Sequence, residues 1–293
     1  MKYAAIEQWQ HEFPIARLCA TLAVSESGYY AWVKRVPSSR EQDNQQLEQT
    51  IRQVWQRYRG IYGAPRIHAE LQAAGLRVGH NRVARLMRVA GLCGKTARRR
   101  QPRTTQVDAT QSVAPNTLAR QFTVARPNTV WLADITYIET KEGFLYLAAL
   151  LDLASRQVVG MAMADHLRAE LVEAALDMAL QQRRPQPGLL HHSDRGSQYT
   201  SQSYRQRLHE CGVTLSMSRV GECRDNAPME SFWATLKREC ADTPFSTRAS
   251  ARSDLFAYIM GFYNQQRRHS ALGYLSPVMF EQQFKRNLDT LPN

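Results

Sequence analysis

The stretch Gly188-Leu-Leu-His-His-Ser-Asp-Arg-Gly-Ser-Gln-Tyr-Thr-Ser201 decides how this chain is read. Its opening, GLLHHS, has the length and apolar character of a buried strand, and Asp194 stands where that strand ends. Glu230 follows 36 positions later, with 35 residues between, inside DNAPMESFWATLK (225–237), a run with helical apolar spacing. Sixty positions before Asp194, Asp134 interrupts the strand-like segment VWLADITYI (130–138). Each acid alone has a plain structural explanation. Asp134 would pair with an arginine or a backbone N–H, Asp194 would open the turn that D-R-G-S favours, and Glu230 would complement a helix N-terminus. As a set, three carboxylates on three elements, two of them in apolar surroundings, are unfavourable to hold together unless a cation lies between them.

Working outward from Glu230, Trp233 and Lys237 fall at i+3 and i+7 and so share its helix face. A cation two turns from a metal-binding acid is well placed to hold a phosphate diester. Two Mg²⁺ ions need few carboxylates and take their remaining ligands from water and phosphate oxygens. Held ~4 Å apart, they activate an attacking oxygen and stabilise a leaving one. Such chemistry needs no covalent protein nucleophile. The neighbouring His192, Ser193 and Asp194 are not a hydrolase triad, because sequence neighbours rarely have triad geometry and no nucleophile elbow is present.

Strands surround the first acid. TVWLADITYI, FLYLAALLDLAS and QVVGMAMAD are apolar or alternating runs separated by tight connections at 141–143 and 155–156, which predicts three consecutive antiparallel strands. The helical run RAELVEAALDMALQQ follows, then the strand GLLHHS, a helix near 201–211, a short strand VTLSMS and the helix carrying Glu230. This order predicts an α/β mixed sheet with helices on its faces. The tail from about Thr247 is helical, with a last amphipathic piece around Val278–Phe284, and is expected to cap the catalytic part.

The N-terminal third is all helical. Pro14 opens a helix carrying Ile15, Leu18, Cys19 and Leu22 on one side; Ser25 is placed to cap a second run, SGYYAWVKR, which stops before Pro37. A long helix is expected from about Glu41 to Tyr58, then one beginning near Pro65 and ending at Gly75, then HNRVARLMRVAG. In the last of these, Arg82, Arg85 and Arg88 recur along one side, against an apolar side of Val83, Leu86, Met87 and Ala90. A turn and a helix precede it, as in a recognition helix facing DNA. KTARRRQPR then brings Arg98, Arg99 and Arg100 into a basic cluster that would follow a phosphate backbone, or simply be solvated. The expected organisation is a helical, helix-turn-helix-like unit at 1–40, a DNA-binding helix-turn-helix region at 41–92 and a basic, polar linker at 93–120. A catalytic core follows at 121–242, and a helical extension at 243–293.

Charge agrees with that division. Net charge is +12, and residues 1–120 hold 19 Lys and Arg against 8 Asp and Glu, whereas residues 121–293 hold 19 against 18. A basic excess confined to one segment points to a polyanion, most simply nucleic acid. With 43% hydrophobic and 9% aromatic residues the composition is that of a folded globular protein. No apolar run is long enough for a transmembrane helix, and the start MKYAAIEQWQHEF lacks a signal-peptide core. Five scattered cysteines without a C-x-x-C pair suit reduced thiols in a cytosol and argue against structural zinc.

With YGAPRIHAEL, NTVWLADITYI, GFLYLAALLDLASRQVVG, HHSDRGSQYTS, DNAPMESFWATLK and YNQQRRHSALGYLSP, the chain resembles the catalytic (OrfB-type) subunit of bacterial insertion-sequence transposases of the IS3 group. These belong to the superfamily of DDE transposases and retroviral integrases. The resemblance runs over nearly the whole chain. It implies a ribonuclease-H-like catalytic domain in which Asp134, Asp194 and Glu230 are the catalytic, metal-binding acids for two Mg²⁺ ions, with Mn²⁺ able to substitute. It implies that Lys237 is the basic DNA-contacting partner on the last helix and that Asn226 shapes the active-site loop beside the DNA. The implied activity is donor-strand cleavage at the ends of the element, then attack of the freed 3′-OH on target DNA. The implied setting is a homo-oligomer on DNA in the bacterial cytoplasm, associated with the nucleoid. The zinc-binding domain of retroviral integrases has no counterpart here. The upstream frame, which brings a leucine zipper and its own helix-turn-helix, lies outside this sequence, so an OrfA-type partner or a frameshift fusion is expected. Two other readings of the residues are a DNA-binding regulator with an inactive second half, and a metal-dependent nuclease that cuts without joining.

Overall fold

The computed structural model describes residues 2–96, 114–219 and 221–290. Helices α1 (Lys2–Trp9), α2 (Ile15–Thr21) and α3 (Glu26–Val33) close on a small core of Ile6, Cys19 and Tyr29. Ser25 caps α3 by accepting the Gly28 N–H at 3.1 Å, as its position before the helical run predicts. The first helix was not anticipated: KYAAIEQW buries only Ile6 and so carries no apolar stripe to reveal it.

Helix α4 (Ser39–Arg57) begins with a capping box, in which the Ser38 hydroxyl accepts from the Glu41 N–H and the Glu41 carboxylate accepts from the Ser38 N–H. Proline in the first turn starts α5 (Ala64–Ala73), and Gly75, at φ +83°, lets the chain leave it in the left-handed region. Helix α6 (His80–Val89) turns Val83, Leu86 and Met87 onto Ile51, Ile67 and Leu71, which makes one apolar core for α4, α5 and α6.

Beyond this unit lies a five-stranded sheet: β1 (Val130–Thr140), β2 (Gly143–Asp152), β3 (Val158–Ala164), β4 (Leu190–Ser193) and β5 (Thr214–Met217). Their spatial order is β3-β2-β1-β4-β5, with β1, β2 and β3 antiparallel in sequence and β4 and β5 parallel to β1. The predicted three-strand meander and mixed sheet are both present. Helix α7 (Ala169–Arg183) links β3 to β4; α8 (Ser197–Thr200) and α9 (Gln202–Glu210) link β4 to β5. A single 3₁₀ turn (Cys223–Asn226) leads into α10 (Ala227–Glu239), followed by α11 (Arg248–Phe256), a π-type turn (Ala257–Tyr263) and α12 (Pro277–Asp289).

Strand alternation gives the sheet two apolar faces. Leu132, Leu147 and Leu151 face α10 and α11, meeting Phe232, Leu236 and Leu255, while Trp131, Ala133 and Leu150 face α7 and α9, meeting Val172, Leu176 and Leu208. Helix α7 lies so close to β3 that a Cβ at Gly160 would fall 2.2 Å from the Ala175 carbonyl oxygen. The tail does more than cap this core, because Ile259 and Tyr263 of the π-type turn are buried within it. Among the described residues no helix is long and apolar enough to cross a membrane.

Candidate active site

The site forms where β1 and β4 part. Their parallel pairing runs from Val130↔Leu190 to Leu132↔His192, so Asp134 lies two residues past the end of that pairing while still paired with Ala149 of β2. Asp194 follows the last residue of β4 directly. Its Oδ1 accepts the Gly196 N–H at 2.9 Å, the turn geometry expected of D-R-G. Glu230 lies in the first turn of α10 and is exposed.

Asp134 is half-buried, and both its oxygens are engaged. Oδ1 accepts the Ile135 N–H at 2.9 Å and Oδ2 accepts the Trp233 indole N–H at 2.9 Å. Burial first, then the charge of Asp194 and to a smaller degree that of Glu230, push its carboxyl up to about 7, against the pull of the two donors. An arginine partner would have had the opposite effect. Among the described residues no three His, Cys, Asp or Glu side chains are gathered into a ready-made metal cage. The charges of Asp194 and Glu230 both reach Asp134. The donor set of the three acids is oxygen only, which suits a hard divalent ion.

Lys237, two turns along α10 from Glu230, is half-buried with its Nζ 4.2 Å from the centre of the Tyr137 ring. Burial lowers its pKa while the charges of Glu139 and Asp134 oppose the shift. Asn226, expected beside the DNA, is instead buried. Its Nδ2 donates to the Ala133 carbonyl at 3.1 Å, which ties the start of α10 to the strand residue before Asp134. Loop shaping describes this residue; a DNA contact does not, because its amide has no surface to offer.

The preceding Asp225 is fully buried and held from three sides. Arg219 donates to both its oxygens at 3.0 Å, Arg120 Nε to Oδ1 at 2.6 Å and Asn116 Nδ2 to Oδ2 at 2.9 Å. Hydrogen bonds from Arg219 outweigh the burial and hold this carboxyl far below the usual range. Behind Asp194, His192 bonds Ser216 and Ser218 rather than Ser193, and burial pushes its pKa down to about 4. It is a neutral packing residue, and no triad exists. On α6, Arg85 and Arg88 are exposed, whereas Arg82 is half-buried and donates to Asn44 on α4 at 2.9 Å. Arg98, Arg99 and Arg100 lie outside the described residues. The Trp233 and Asp225 bonds were not foreseen. A buried indole seeking an acceptor was the available signal for the first; nothing local signals the second.

Known families match along the chain in the order of these units. An HTH-like domain matches residues 41–100, and integrase core domains match 124–223 and 211–277. The transposase InsF for insertion sequence IS3A of Escherichia coli (strain K12) is 40% identical over 284 residues, 96% of this chain and 98% of that protein. The chain belongs to the IS3 family of transposases. The transposase for IS904 of Lactococcus lactis subsp. lactis (strain IL1403) is 43% identical over 248 residues, 84% of this chain and 98% of that protein. The IS600 uncharacterized 31 kDa protein of Shigella sonnei is 45% identical over 268 residues, 91% of this chain and 98% of that protein. IS3-family membership makes the sheet domain a ribonuclease-H-like integrase core and the chain a DDE polynucleotidyl transferase that acts on DNA. Enzymes with this core depend on a divalent metal ion.

Proposed function

We propose that Asp134, Asp194 and Glu230 together hold a pair of Mg²⁺ ions, replaceable by Mn²⁺, and that the chain cuts element ends and joins their 3′-OH to target DNA. The observation that supports this most is the setting of Asp134, a half-buried acid whose two oxygens accept the Ile135 and Trp233 N–H groups and whose carboxyl feels the charges of Asp194 and Glu230. A divalent cation would offset the mutual repulsion of these acids. When bound, such ions activate the attacking oxygen and stabilise the leaving one. The chain's own residues do the positioning. Asn226 and Asp225 fix the start of α10, and Lys237, braced on Tyr137, holds a DNA phosphate in line with the acids. Joining replaces one phosphodiester by another, with the 3′-OH losing a proton and the target 3′-oxygen leaving, so no energy-supplying nucleotide is required.

The test incubates labelled element-end DNA and a target plasmid with the full chain and Mg²⁺ or Mn²⁺, alone and with its upstream-frame partner. Joined products, absent with Asp194→Asn, are expected. Cut but unjoined DNA would make the protein a nuclease, and binding without any metal-dependent product would make it a regulator.

Arg85 and Arg88 on α6, with Arg98, Arg99 and Arg100 beyond it, are proposed to follow the DNA backbone. Replacing Arg85 and Arg88 by Ala is expected to weaken DNA binding and lower the slope of log K against log salt by about 2, roughly one per phosphate contact. An unchanged slope would remove α6 from the interface. Arg82, engaged with Asn44, is expected to matter for the helix pair instead. A homo-oligomer on DNA, an OrfA-type partner and a place at the bacterial nucleoid complete the proposal.

A further inference from the structure

We infer that Trp233 is a positioning residue of the active site, whose indole N–H sets the plane of the Asp134 carboxylate and ties it to the helix bearing Glu230. The inference rests on the reading of Asp134, Asp194 and Glu230 as metal-binding acids.

An aspartate carboxylate turns easily about its last torsion, whose energy profile is broad and two-fold. Ile135 N–H restrains one oxygen of Asp134, but this donor belongs to the next residue of the same strand. Trp233 restrains the other oxygen from a different element, 99 positions away, at 2.9 Å. With both oxygens engaged, each keeps lone-pair capacity for a cation, and the plane in which those lone pairs lie is set.

The indole suits this task for three reasons. It only donates, so it stays a donor whatever the protonation of the acid, and it cannot take a metal ion for itself. Its rotamer is locked, because the side chain is 7% exposed in the core beneath α10 and stands 4.7 Å from the Phe232 ring. It also lies three residues after Glu230, so one bond both orients Asp134 and fixes the helix that carries Glu230 against β1. A donor bonded to a metal-binding side chain is known in general to tune affinity by 10–100-fold when removed.

The test uses the full chain and Mn²⁺ alone as probe, with the free-ion paramagnetic resonance signal as readout, beside strand joining as a function of Mg²⁺. Trp233→Phe keeps a ring and deletes the N–H; Phe232→Leu loosens the same packing and keeps the N–H. The expected result is a Mn²⁺ affinity roughly 10-fold weaker in Trp233→Phe, with the Mg²⁺ requirement raised in step, and an unchanged affinity in Phe232→Leu. Wild-type Mn²⁺ affinity in Trp233→Phe overturns the inference. So do equal losses in both variants that track their melting temperatures, since those report packing alone. Asp134→Asn separates the underlying reading: if it leaves Mn²⁺ binding intact, the metal site itself is misassigned, whatever Trp233 does.

Discussion

Asp134→Asn is expected to cut strand joining by roughly 10³-fold or more and, in the same protein, to raise the melting temperature of the metal-free form. In the proposed site Asp134 holds a metal ion against the reacting phosphate, where charge stabilisation amounts to several kcal/mol, or about 10³ in rate. The gain follows from the pKa. A carboxyl at about 7 in the fold, against an ordinary aspartate in the unfolded chain, binds its proton more tightly when folded. Its favourable contribution is therefore complete at acid pH, below the unfolded value, and is lost as pH rises through about 7. Without divalent ions the wild type should lose stability between about pH 4 and 7 through this group, and Asp134→Asn should not. The full linkage would be ~4 kcal/mol, and sharing of charge among the three acids reduces it, so a gain of about 1–3 kcal/mol at pH 8 is expected. Millimolar Mg²⁺ should stabilise the wild type by mass action and leave the variant unmoved. Thermal melts at pH 5 and pH 8, with EDTA or Mg²⁺, read all of this. A metal-free wild type whose stability does not fall between about pH 4 and 7 would show that Asp134 is held by its neighbours without strain.

Much of this site is legible in the sequence, because it follows from local pattern. The apolar runs around Asp134 predict β1, β2 and β3, and the placement of Pro65 and Gly75 predicts the bounds of α5. The spacing of Glu230, Trp233 and Lys237 predicts one helix face. What pattern leaves out is which faces meet. Periodicity says that a side chain points inward, not toward whom. Asp225 carries no signal of its own in the sequence, yet it is gripped by Arg219 and by Arg120, 105 positions away. Arg82 reads as one of three equivalent arginines, yet its bond to Asn44 across 38 positions withdraws it from the stripe. Asn226 is expected to shape the active-site loop beside DNA, and its amide donates to the Ala133 carbonyl across 93 positions.

The largest effect on stability is expected from a pair at the junction of the units. Arg267 and Glu239 are 3% and 5% exposed. Arg267 donates from Nε and from a terminal nitrogen to the two Glu239 oxygens, each at 2.7 Å, and the Tyr258 hydroxyl adds a third bond at 2.8 Å. Burial alone would push the Glu239 carboxyl up, but the guanidinium and the hydroxyl together hold it below its ordinary value. Glu239 closes α10, the helix that begins beside the active site, so the pair anchors the far end of that helix. The next residue turns the other way. Arg268 reaches Glu70 on α5 at 2.6 Å, its N–H donates to the Tyr62 hydroxyl at 3.0 Å, and its carbonyl accepts from Arg66 at 2.9 Å. Two adjacent arginines thus join α10 and α5 to one segment. Arg267→Met leaves the buried Glu239 with only the Tyr258 hydroxyl and Arg238, which donates to it at 3.0 Å, and should cost about 3 kcal/mol, a fall in melting temperature of roughly 10 °C. Adding Glu239→Leu should recover most of that loss, because removing both charges also removes their desolvation. A double-mutant cycle from melts of the four proteins measures the coupling. Losses that simply add would mean that the two side chains stabilise the junction by packing and not through their charges.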